Sequence, residues 1–143
     1  MTTIEEVHPI PERAAEMPYA PAIYVEGAAG LLFIAGSIAS PLYHQHPHLP
    51  EEHILPDDIK EQTRMALANI KTVLDAKGLT WRNVVKLTKY LTDIREAPEM
   101  YEVLGEHFGD WRPAGTLVSV NNLSAPGARV ELEMLAAVPK NGD

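Results

Sequence analysis

The sequence predicts an α+β fold, a two-layer sandwich in which two helices cover one face of a mixed β-sheet, in the order β-β-α-β-α-β-β. Three observations carry this prediction. Residues 57–76 and 97–108 repeat apolar side chains at helical spacing, short β-rich runs flank and separate them, and residues 129–137 alternate with period two. A chain of 143 residues that is 45% hydrophobic is sized for a single domain, residues 1–143, around one core.

Residues 1–21 carry three prolines before Tyr19 and mixed charge, which predicts an extended arm rather than a helix. Residues 22–25 and 31–36 are apolar runs separated by Glu26-Gly27-Ala28-Ala29-Gly30, the pattern of a hairpin with a glycine-containing loop. Residues 37–56 hold four prolines and four histidines and fit neither period, so they read as a long loop of the kind that carries function. The first helix starts at Pro56 or Asp57. It presents Ile59, Ala66, Ile70, Val73 and Leu74 as a stripe and closes on Lys77-Gly78. Residues 84–90 read as a strand. A second helix over 97–108 has Pro98 and Glu99 in its first turn and turns Met100, Val103, Leu104 and Phe108 inward. Strands at 117–120 and 129–137 follow, joined by the turn-rich 121–127; the last places Val130, Leu132, Met134 and Ala136 on one face and Glu131, Glu133, Leu135 and Ala137 on the other.

Composition narrows the function. A net charge of −8 lacks the basic footprint that phosphate backbones or anionic membrane surfaces demand, so neither nucleic acid nor membrane is expected as a partner. Without cysteine there is no disulfide, thiolate nucleophile or cysteine-ligated metal. The start MTTIEEVHPIPERA has no basic segment followed by an apolar one, and no apolar run reaches membrane-spanning length, which leads us to expect a soluble, cytoplasmic protein.

Glu131 stands out because glutamate is depleted from strands and rarely buried unpaired. It either pairs with a lysine or arginine on an adjacent strand or sits where its charge is used. The loop Tyr43-His44-Gln45-His46-Pro47-His48, with His53 beyond, invites two readings. Alternating histidines on a strand would ligate a metal, but the prolines argue against a strand, so no metal is expected; the loop instead overhangs a cleft and offers His44 or Tyr43 to a ligand. Trp111 either stacks on a planar substrate or belongs to the core or an interface.

PYAPAI, LLFIAG, QTRMALANIKTVLDAKGL, VVKLTKYLTDI, MYEVLGEHF, RPAGTLVSVNNL and ARVELEMLAAV follow one another in this order along most of the chain. Together they resemble the reactive intermediate (imine/enamine) deaminase family, also called the YjgF or Rid family. The resemblance implies a chorismate-mutase-like fold, a homotrimer with clefts between subunits, and hydrolysis of short-lived enamines or imines to keto acids and ammonia, with neither metal nor organic cofactor. It further implies that Glu131 handles water, that Tyr19 lines the pocket, and that the position of a carboxylate-clamping arginine is here Gly115. Two more departures follow from it: Tyr101 replaces an asparagine before the second helix's VY-like pair, and Ala35, with Ser37 two residues on, replaces a small hydroxyl residue and a glutamine.

Arginine offers a planar fork of donors to a carboxylate, whereas glycine offers one backbone N–H. Losing a contact worth roughly 1.5–3 kcal/mol weakens carboxylate binding about ten- to a hundred-fold. Either Arg112 or Arg129 replaces the clamp, or the small-molecule substrate is larger or less anionic than usual, an amino-muconate-like or aromatic compound. The alternative is a trimeric ligand-binding or chaperone-like protein without catalysis. Ribonuclease activity, reported for some relatives, fits poorly with the acidic balance.

Overall fold

Asp58, not Pro56 or Asp57, sets the start of the first helix: its carboxylate accepts the Lys60 N–H at 3.0 Å. The computed structural model describes residues 1–143. Its elements are β1 (Thr3–Val7), β2 (Ala22–Glu26), β3 (Gly30–Ser37), α1 (Ile59–Ala76), β4 (Val84–Leu91), α2 (Ala97–Phe108), β5 (Ala114–Ser119) and β6 (Val130–Val138). Gly78, at φ +67°, ends α1 as expected, and the Leu79 N–H donates back to the Leu74 carbonyl at 2.9 Å.

Four strands form one sheet in the order β3-β6-β4-β5. β6 is antiparallel to both neighbours, while β4 and β5 run parallel across the α2 crossover, so the sheet is mixed as predicted. The stripes of α1 and α2 meet its inner face in one core that includes Leu67, Ile70, Met100, Phe108, Leu132 and Met134. Ridges of β-branched and aliphatic side chains on one face therefore orient every strand, and the alternation fixes which residues look outward.

Three expectations change. The runs before and after Glu26–Gly30 do not pair with each other: β2 pairs with β1, and β3 pairs with β6 through Phe33↔Leu135. Gly27, at φ +71°, turns the chain against its own N-terminus, where Thr2 Oγ1 donates to the Gly27 carbonyl at 3.1 Å. The arm thus contains a proline-free strand, Thr3–Val7, ahead of a 3₁₀ turn at Pro11–Glu16. β5 begins at Ala114 rather than 117, because Ala114 and Gly115 pair with Lys86 and Leu87 despite looking like turn residues.

The face away from the helices is open. Phe33 is 77% exposed and Leu31 52%, whereas Ile34 and Leu132 pack under the helices. No helix is long and apolar enough to cross a membrane.

Candidate active site

Alternation along β4 turns Leu87, Lys89 and Leu91 toward the helices. Lys89 is 2% exposed, yet its ammonium makes neither an ion pair nor a hydrogen bond within the chain. Its ammonium instead faces two phenol rings, 4.8 Å from the centroid of Tyr101 and 5.6 Å from that of Tyr19. Burial, reinforced by the like charge of Lys86, pushes its pKa down to about 8. The three side chains line a cavity of about 390 Å³ together with Phe108, Trp111 and Pro113. Tyr101 is half-buried there, and burial followed by Tyr19 raises its pKa, so the phenol keeps its proton.

Gly115 explains how the lysine fits. A Cβ on Gly115 would lie 2.7 Å from Lys89 Nζ and 3.3 Å from the Leu87 carbonyl. The ammonium fills the space that a side chain at 115 would need. Neither arginine proposed as a replacement clamp is free. Arg112 donates to the Ala14 carbonyl at 2.6 Å and, through its backbone, to Glu6 at 3.3 Å; Arg129 pairs with Glu96 at 2.8 Å and donates to the Asp57 carbonyl. Arg112 holds the N-terminal segment, and the Ala20 N–H to Pro113 carbonyl contact at 3.3 Å fixes Tyr19 over the cavity.

Glu131 lies on the other face of the sheet, opposite Tyr90, with no cationic partner. The strand-pair ion bridge that its sequence position allowed is not formed. Burial, then the neighbouring Glu133, raises its pKa. It lines a second cavity, of about 140 Å³, with Gly36, Ser37, His44, His48 and Ser124. Gly36 makes room for the carboxylate, since a Cβ there would stand 2.5 Å from Glu131 Oε2. Gly36→Ala is therefore expected to swing the carboxylate aside at small cost in stability and to lower any Glu131-dependent turnover about tenfold or more, measured as ammonia release beside a thermal melt.

The remaining predicted site residues divide. His44 reaches the Glu131 cavity, but Tyr43 is 91% exposed and lines neither cavity. Ala35 is exposed one residue before Gly36. Trp111 walls the Lys89 cavity as a core residue, its indole N–H donating to the Val84 carbonyl at 2.9 Å. No strand forms between residues 38 and 49, so the histidines are not ordered by a pleat. Lys89 is the residue that sequence reasoning missed. Its signal was legible as a charge at an inward position of Leu87-x-Lys89-x-Leu91.

The chain matches the family described as Endoribonuclease L-PSP over residues 10–138. A RutC family protein of Pyrococcus horikoshii is 40% identical over 120 residues, 83% of this chain and 86% of that one. TdcF of Escherichia coli K12, named as a reactive intermediate deaminase, is 27% identical over 118 residues, covering 79% and 84%. Among solved structures, a member of the YjgF/YER057c/UK114 family from Mycobacterium tuberculosis superposes with a TM-score of 0.62 at 31% identity, covering 96% of this chain and all of the other. A Rid family protein from Yersinia pestis shares the fold more closely, with a TM-score of 0.74 at 20% identity over 96% and 98%. The chain belongs to the Endoribonuclease L-PSP family, the YjgF/Rid family to which reactive intermediate deaminases also belong.

Proposed function

We propose that this protein hydrolyses a small enamine or imine carboxylate in a cleft shared by two subunits of a homotrimer, with Lys89 anchoring the carboxylate and Glu131 moving the proton. One observation carries the reading. Lys89 and Glu131 project from opposite faces of the paired strands β4 and β6, so one chain cannot apply both to the same small molecule. A head-to-tail ring brings one face of a subunit against a different face of the next. The exposed Phe33 and Leu31 give the open face a reason to be covered.

The chemistry suits the parts. An enamine accepts a proton at carbon, the resulting iminium adds water, and the carbinolamine releases ammonia to leave a carbonyl group. Glu131, whose pKa burial raises, supplies the first proton and takes one back from the attacking water. The ammonium of Lys89 is a point charge rather than a fork, so it holds an acid group without dictating its plane, and the 390 Å³ of aromatic-walled space accepts a conjugated or aromatic body. The net charge of −8 speaks against RNA as substrate, whatever the family's description.

Ammonia release from enamines generated in situ tests this. Wild type should exceed the buffer rate on an aminoacrylate-type or amino-muconate-type acid, and Glu131→Gln should fall to it. Equal rates for both proteins across the panel would overturn the reading.

A further inference from the structure

We infer that the loop carrying His44, His46 and His48 is a binding site for one divalent transition-metal ion of the zinc type, ligated by those three imidazoles. The ring centroids of the three histidines are 4.7, 4.8 and 4.9 Å apart, and one ligand nitrogen from each lies within 4.8 Å of the others. Tetrahedral zinc at about 2.0–2.1 Å from each nitrogen separates its ligands by roughly 3.3 Å, a distance these exposed side chains reach by small rotations.

Two features of the loop go beyond crowding. His44 Nδ1 lies 3.1 Å from the Pro41 carbonyl, which can only accept, so this nitrogen carries the hydrogen and Nε2 presents its lone pair. His48 Nδ1 lies 3.0 Å from His53 Nε2; in the tautomer in which His48 donates and His53 accepts, Nε2 of His48 keeps its lone pair for a metal. Orientation of a ligand imidazole by its second nitrogen is the habit of metal sites. Glu52 meanwhile braces the run at both ends, its carboxylate accepting the Gln45 N–H at 3.0 Å and the Leu49 N–H at 2.5 Å.

The alternative is a solvated surface loop held by these hydrogen bonds alone. Residues 41–51 are all exposed, so no apolar burial holds the four rings together. Hydrated imidazoles gain nothing by gathering, whereas a metal converts the gathering into bonds. Three nitrogens with an open fourth position suit an ion that keeps a water or takes a ligand from the adjoining cavity, which His44 and His48 line together with Glu131.

The test needs no turnover and is independent of the proposed deaminase reading. Co(II) is titrated into tag-free protein and followed by its visible d–d bands, with Zn(II) then added in competition. One ion per chain is expected, half-saturating at or below about 10 μM, displaced by Zn(II), and lost in the triple variant His44→Ala/His46→Ala/His48→Ala. Far-UV circular dichroism checks that the triple variant stays folded, and His8→Ala/His107→Ala should bind as wild type. Half-saturation weaker than about 10 μM, or titration curves unchanged in the triple variant, would overturn the site.

Discussion

Lys89→Met is expected to give a more stable protein that binds carboxylates poorly. With its pKa at about 8 rather than 10.5, the folded chain binds fewer protons than the unfolded chain between those values, so wild-type stability rises with pH through that window. Below pH 8 the full penalty of burying the charge is present, on the order of 3 kcal/mol. Methionine fills similar volume without that charge, so the variant should gain about 1–3 kcal/mol at pH 7, and the gain should shrink toward pH 10. Denaturant melts at the two pH values measure it.

Function moves the other way. Only the ammonium attracts an acid group, so KM for a carboxylate substrate should rise about ten- to a hundred-fold in Lys89→Met, and in wild type it should rise as pH passes about 8. A bound carboxylate favours the charged lysine, which places the pH limb of kcat above that of kcat/KM. The pairing with Gly115 makes the prediction specific. Gly115→Arg alone forces a guanidinium against a like charge, whereas in the Lys89→Met background that charge and the atom nearest residue 115 are gone, so the arginine should recover carboxylate affinity. Unchanged KM and unchanged stability in Lys89→Met would remove Lys89 from the account.

The helices and β6 were legible in the sequence because their periodicity is their packing: α2 occupies 97–108 as read, and Val130, Leu132, Met134 and Ala136 all turn inward. The separate partners of β2 and β3 were not, because strand partners are chosen across the whole sheet and β1 lay hidden ahead of the prolines that follow it. The candidate site was legible only in part. Glu131 was visible as a carboxylate in a strand, and Gly115 as a gap. What filled the gap was invisible from its own neighbours, since Lys89 arrives from the adjacent strand, twenty-six positions earlier in sequence and next to Gly115 only through the β4–β5 register.

Mixing two inactive variants should restore activity if the site is shared. Glu131→Gln removes the proton shuttle and is expected to lower turnover about 10²- to 10⁴-fold, and Lys89→Met removes the anchor. Unfolded together and refolded as mixed rings, some interfaces pair the intact Lys89 wall of a Glu131→Gln subunit with the intact Glu131 wall of a Lys89→Met subunit. Random assembly at equal amounts gives about a quarter of all clefts both native residues, so about a quarter of wild-type activity should return. A cleft built within one chain predicts no recovery at all, because every subunit would then carry one lesion in its own site. The expectation of recovery rests on the opposite faces that Lys89 and Glu131 take on the paired strands β4 and β6. Mixed rings no more active than the two parents, with assembly verified by native mass spectrometry, would return both residues to separate and unrelated roles.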